Sequence, residues 1–208
     1  MLPASENHHH STPGGMILHS LESSLYALRY AKENRPESLG MSDLDKQSEL
    51  PYRYAAWLAA FMHDAGKVLR DIVVDAAELQ NGSINTRVTA KSNIPSWQPQ
   101  KESLVDWAKR FGVARYSVTY LESRIHNQHN VDSVQLLDPV LGKGYALDFI
   151  LQCPADVHGK LVRVLVGYDN SKEYIASAVR RGDMLSTSKN VAKTTQNSFL
   201  VDQNMSAS

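Results

Sequence analysis

Eight histidines stand in this chain of 208 residues, and seven of them fall in three places. His8, His9, His10 and His19 open the chain, His63 stands beside Asp64, and His126 and His129 lie three residues apart. Clustered imidazoles beside acids suit metal or phosphate chemistry. The most specific group is His63-Asp64-Ala65-Gly66-Lys67. Its imidazole and carboxylate supply one nitrogen and up to two oxygens, and Asp64 can bridge two cations. Lys67, one helical turn on, can hold a phosphate oxygen beside a metal. Gly66 leaves room for another helix to approach. His126 and His129, at i and i+3, share a helical face. Asp183 closes the set from a late helix.

Taken singly, these residues have plainer readings. His19 could be a satisfied core histidine, His126 and His129 a polar helix face, and Asp183 a helix-end charge. Their order, His, His-Asp, His, His, Asp on successive helices, is much harder to reach by chance. A mixed imidazole and carboxylate set suits one or two ions of Mn, Fe, Co, Ni or Zn, with Mn first. It is too rich in nitrogen for a dedicated Mg or Ca cage.

Helices must position these groups. Thr12-Pro13 is a helix start, with Thr as cap and Pro at the first position. Leu18, Leu21, Leu25 and Leu28 follow at helical spacing and predict a buried face for a helix over 13–34. Residues 35–50 read as a polar loop. Pro51 opens a second helix, with Ala55, Leu58, Ala59, Met62 and Leu69 inward and the His63-Asp64 pair at the edge of the core. Residues 81–100 read as a long loop or small hairpin. Residues 103–111 read as a helix, 117–141 as mostly helical, and 144–152, 157–166 and 172–181 as shorter helices. The expected fold is all-α, a helical bundle with a small β-hairpin insertion. Residues 1–192 form the working domain. Residues 193–208 are poor in apolar side chains and predict a disordered tail or linker.

Composition narrows the function. Lys+Arg and Asp+Glu each number 22, so bulk positive charge does not hold nucleic acid here. A local patch, Lys109, Arg110, Arg115 and Arg124, or a bound metal would have to do so. A single cysteine, Cys153, excludes a disulfide scaffold and a multi-thiolate zinc site, and predicts a reducing cytoplasm. The longest apolar run, 54–62, is too short to span a membrane, and no signal peptide is visible.

The order of ligands resembles that of the HD phosphohydrolase superfamily. That resemblance implies an HD-domain helical bundle with His19, His63, Asp64, His126, His129 and Asp183 as ligands, and Lys67 matches a frequent extension of the motif. The opening block is similar to that of MobH relaxases, the TraI-type proteins of conjugative plasmids and integrative elements. It runs from Leu2-Pro3-Ala4-Ser5-Glu6-Asn7 through the three histidines, Gly14-Gly15 and His19. Phe61 to Lys67, Trp97-Gln98-Pro99 and Arg124 to His129 are similar too. The resemblance covers roughly 2–183. It implies metal-dependent nicking of DNA at a transfer origin in the bacterial cytoplasm, on single-stranded or supercoiled DNA. Relaxosome or coupling proteins would be engaged by regions outside this chain.

In that reading Asp64 and Lys67 are catalytic, and His8, His9, His10 and Arg124 hold DNA or phosphate. The histidine run also has the plain reading of a purification-tag remnant, against which stand its length of three and the matching Gly-Gly and His19. Rejoining a cut strand favours a covalent tyrosine intermediate. Tyr26, Tyr30, Tyr116 and Tyr120 lie near the histidines, but none is singled out, and aromatic packing accounts for each. The alternative is an HD phosphohydrolase or exonuclease acting on nucleotides or single-stranded ends. A branch of HD exoribonucleases shares a similar opening, and zero net charge favours this alternative slightly.

Overall fold

The computed structural model describes residues 2–6, 9–81, 84–87, 94–123, 125, 128–167 and 171–206. His8, Arg124 and His126 of the expected site lie outside the described residues. The chain is mainly helical. It runs α1 (Gly15–Glu33), α2 (Ser42–Met62), α3 (Lys67–Arg70), β1 (Ile72–Asn81), β2 (Ile84–Arg87), α4 (Leu104–Arg110) and β3 (Val113–Tyr120). It continues as α5 (His129–Gln135), α6 (Leu137–Leu141), α7 (Tyr145–Leu151), α8 (Val157–Val166) and α9 (Tyr174–Ser206).

The body is built from α1, α2 and α9 packed together, with α8 against α2. Its buried surfaces are lined by small side chains. On α1 the inward ridge is Gly15, His19, Ser23, Ala27 and Ala31, spaced by four. Ala55, Ala56, Ala59 and Ala60 face it from α2, and Ile175, Ala178 and Val179 from α9. Small residues let helix axes approach closely. The consequence corrects a sequence expectation. Leu18, Leu21 and Leu25 do not face the core but lie on the outer side of α1, each nearly half exposed. α9 passes so close to α1 that a Cβ on Gly182 would lie 2.3 Å from the Ser23 carbonyl oxygen.

Other expectations also shift. The second helix begins at Ser42, well before Pro51, which lies inside it. Asp45 steadies its start by accepting from the Leu39 backbone N–H and the Ser38 hydroxyl, each at 2.6 Å. Pro51 has no N–H to donate to the ladder and forgoes one bond. The helix stops at Met62, so His63 to Gly66 form a turn and Lys67 begins a new short helix. Residues expected to be helical from 117 instead include the strand β3, whose side chains alternate between the sheet's apolar face and solvent. Alternation of Tyr116, Val118 and Tyr120 with Arg115, Ser117 and Thr119 is the period of a strand. Finally, α9 continues as helix through Ser206, past the point where composition predicts an irregular tail. No proline or glycine after Gly182 interrupts it.

A hairpin is present, but its first strand, β1, lies almost wholly ahead of the expected span 81–100; β1 and β2 pair antiparallel from Glu78↔Arg87 to Asn81↔Ile84. It is widened by β3, giving the order β2-β1-β3. Ile72 pairs with Tyr120 at one end of the β1–β3 ladder. The sheet has its own small core, in which Ile72, Val74 and the indole of Trp107 are buried. Trp107 donates its indole N–H to the Pro95 carbonyl at 3.0 Å. Ser103 caps α4 by accepting from the Asp106 N–H. Among the described residues, no helix is long and apolar enough to cross a membrane.

Candidate metal centre

Three helical segments and one turn bring the chemistry together. His19 comes from the inward ridge of α1, and His63 and Asp64 from the turn that ends α2. Asp183 comes from α9 and His129 from the first position of α5. His19, His63 and Asp64 are at most 6% exposed. Gly66 explains how α5 reaches the turn: a Cβ there would lie 1.9 Å from the His129 carbonyl oxygen. The Gly66 N–H donates to Ser133 Oγ at 2.9 Å and ties the two segments.

His19, His63 and Asp64 converge on one point, with Asp183 beside the imidazoles and His129 on the other oxygen of Asp64. His19 Nε2 lies 3.3 Å from His63 Nε2, 3.3 Å from Asp183 Oδ1 and 3.7 Å from Asp64 Oδ2. His63 Nε2 lies 3.8 Å from Asp64 Oδ2 and 3.9 Å from Asp183 Oδ1. His129 Nε2 lies 3.5 Å from Asp64 Oδ1. Two metal–ligand bonds of ~2.1 Å at tetrahedral or octahedral angles place their donors about 3.0–3.4 Å apart. His19, His63 and Asp64 form a group whose ligand atoms are mutually close enough to hold a metal ion.

Outer partners settle which ring nitrogens face inward. His63 Nδ1 faces the Ala60 carbonyl at 2.8 Å, and a carbonyl only accepts, so this nitrogen carries the proton. His129 Nδ1 faces Asp71 Oδ2 at 3.0 Å with the same result. His19 Nδ1 meets Ser186 Oγ at 3.1 Å. That hydroxyl donates to Glu22 Oε2 at 3.1 Å, so it accepts from His19. In the neutral state the Nε2 atoms of His19 and His63 therefore present lone pairs to each other and to Asp64 and Asp183, while His129 Nε2 presents one to Asp64 Oδ1. Buried lone pairs that face each other need a shared positive charge. The donor set fits a divalent transition cation.

Electrostatics agree. Burial pushes the Asp64 carboxyl up, but His63, Lys67, His129 and His19 outweigh it and hold Asp64 well below the ordinary carboxylate range. Asp183 is also lowered: burial opposes, and the His19 and His63 imidazoles beside it prevail. Lys67 Nζ donates to Asp64 Oδ2 at 2.6 Å, as the three-residue spacing predicts.

The opening segment closes one side of the centre. His9 and His10 pack on His19, with ring centroids 4.8 and 5.1 Å away. Burial, then His19 and Lys67, lower the His9 imidazole to about 4, so it is neutral at pH 7. His10 Nε2 lies 3.2 Å from Glu22 Oε2, and Glu22 Oε1 accepts from Lys189 at 3.0 Å. The segment is strapped down by Met16 N–H to the Leu2 carbonyl, Ala4 N–H to the His10 carbonyl and Tyr120 Oη to the Pro3 carbonyl. Gly15 is needed beneath it, since a Cβ would lie 1.8 Å from the His10 carbonyl oxygen.

The basic patch is less available than its sequence suggests. Arg110 pairs with Glu102 and Arg115 with Glu78. Tyr116 and Tyr120 pack against the sheet's apolar core. Glu22, Asp71 and Ser186 do not stand out in the sequence. Ser186 had one signal, its position three residues after Asp183 on the same helix. Asp71 had none, because nothing in an isolated acid at the end of a four-residue helix points to an imidazole from another segment.

A family model named TraI_2, described as "Putative helicase", matches residues 1–201. Among curated proteins and among solved structures nothing matches.

Proposed function

We propose, from the premise that this chain belongs to the TraI_2 family, that it is an HD-type metal-dependent phosphodiesterase that nicks DNA at a conjugative transfer origin. The observation that carries the reading is the convergence of His19, His63 and Asp64 on one buried point, with Asp183 beside the two imidazoles and His129 on the other oxygen of Asp64. His19, His63, Asp64, His129 and Asp183 would hold the cation, with His126 as a further candidate from the sequence. A divalent transition cation, Mn first, supplies Lewis acidity toward a scissile phosphate when bound.

The chain's own groups do the rest. Asp64 has an oxygen on each side of the site, facing His129 through Oδ1 and His19 and His63 through Oδ2. Lys67 starts on Asp64 and is partly exposed, so it can turn to a non-bridging phosphate oxygen and balance charge that develops there. His9 sits beside the centre as a neutral imidazole and can hold a proton or a phosphate oxygen at its Nε2. His10 is fixed by Glu22 and sets the position of His9, and His8 and Arg124 extend the strand-holding role. The substrate is single-stranded or supercoiled DNA in the cytoplasm. Partner proteins of the transfer machinery would contact other regions.

The test compares supercoiled plasmids with and without the candidate origin, using metal-free protein with Mn added back. Asp64→Ala should abolish nicking, because Asp64 would be a ligand of the cation, with helical content retained by circular dichroism. Origin-specific nicking that survives in Asp64→Ala removes the site assignment. Trimming of linear strands or hydrolysis of nucleotides, with circles untouched, selects the HD phosphohydrolase or exonuclease alternative, which the zero net charge favours.

A further inference from the structure

We infer that Asp71 is a positioning residue for the metal centre: its buried carboxylate sets the tautomer and donor strength of His129. The inference rests on the metal reading above. Asp71 Oδ2 accepts the Nδ1 proton of His129 at 3.0 Å, and His129 Nε2 then faces Asp64 Oδ1 at 3.5 Å. Asp71 is itself rigidly held. Its N–H donates to the Lys67 carbonyl at 2.8 Å, and its own carbonyl accepts from the Leu121 N–H at 2.9 Å. It is the joint at which α3 becomes β1, so the end of the sheet fixes where this carboxylate points.

The contrast with Asp132 shows why a plain packing role does not suffice. Both are buried acids that flank His129 in space or sequence. Asp132 receives Arg70 on both oxygens, so its charge is met by a fixed cation. Arg70 adjoins Asp71 in the chain yet turns to Asp132. Asp71 receives one neutral imidazole N–H, and among the described residues its Oδ1 meets no donor. Arg70 reaches Asp71 by charge alone, without a hydrogen bond, so positive charge arriving on His129 would meet a carboxylate with an oxygen still open to it. Charge placed on His129 Nε2 would be relayed through the ring to Asp71. The two other inward imidazoles lean on neutral acceptors, the Ala60 carbonyl and Ser186 Oγ. His129 is therefore the one inward imidazole of the three whose outer partner is a carboxylate.

The experiment uses the whole chain and Mn alone, with Asp71→Ala and Asp71→Asn. Affinity is read by calorimetry, and the His129 tautomer by long-range proton–nitrogen correlation on metal-free protein. Asp71→Ala should weaken Mn binding about 10–100-fold and shift His129 away from the Nδ1–H form. Asp71→Asn keeps an acceptor, so it should keep the tautomer and lose less affinity than Asp71→Ala. Wild-type affinity in Asp71→Ala, or an unchanged tautomer, overturns the proposal. Equal losses in the two variants with the tautomer intact in both also overturn it, since that is the mark of a purely structural acid. A wild-type chain that shows the tautomer but binds no Mn removes the metal reading instead, and the positioning role with it.

Discussion

In the helical body, α1, α2 and α9 meet through alanine, glycine and serine, and the largest inward group on the α1 ridge is an imidazole. In the sheet unit, the Trp107 indole of α4 is buried against Ile72 and Val74 of β1, with partly buried aromatic side chains around it. The first region gains its precision from backbones held close together, so its polar residues are fixed by several elements at once. The second is organised around one fully buried large side chain, with partly buried groups such as Trp97, Phe111 and Tyr116 around it. A buried metal centre belongs in the first kind of region, and a support that sets one strand end can be the second.

The largest expected effect is on the sheet. Trp107→Ala should cost about 3–5 kcal/mol, which exceeds what so small a core can spare. Hydrogen exchange should show β1 and β3 amides losing protection while α1 and α9 keep theirs. Simultaneous loss in both regions would mean that they unfold as one unit. Gly66→Ala comes next. Its Cβ has no room against the His129 carbonyl, so α5 must retreat, at about 1–3 kcal/mol. Mn affinity should fall with it, measured by calorimetry. Unchanged affinity would show that His129 contributes little to binding.

The smallest effect sharpens the electrostatic side of the contrast. The folded His9 imidazole titrates at about 4, below its ordinary value of 6.5. Between those values the unfolded chain binds the extra proton and the folded one does not, so stability rises with pH there. Acidification of metal-free protein from pH 7 toward 4 should lower the melting temperature progressively. Below that, the depressed carboxyls of Asp64 and Asp183 add a loss of the same sign. His9→Asn should flatten the upper part of the slope, followed by scanning calorimetry across pH.

The two regions also differ in how far they can be read from residues alone. His19, His63, Asp64, Lys67 and Asp183 stand out because few other roles use those side chains in that order. The structure brings these five together with His129. The face of α1 is misread because leucines at helical spacing normally mark a core, whereas here alanine and glycine mark it and leucine marks the outside. Strand β3 is misread because Arg115, Ser117 and Thr119 dilute an alternation that only Trp107, thirteen residues before Tyr120, makes worth burying. Asp71 is invisible for a different reason: its role is defined by a partner 58 positions away, His129, and by a sheet end that no local pattern announces.

The Ser186 to His19 hydrogen bond joins residues 167 positions apart. During synthesis, His19, His63, Asp64 and His129 all emerge before the segment that carries Asp183 and Ser186 exists. Until α9 docks against α1, the His19 ring has no outer partner to set its tautomer, and one carboxylate is missing. Closing so long a loop is entropically costly and slow, so the centre is completed at a late step of folding. A nascent or truncated chain that ends before Asp183 should therefore be a poor trap for metal ions, and cation capture should serve as a kinetic reporter that the last helix has arrived.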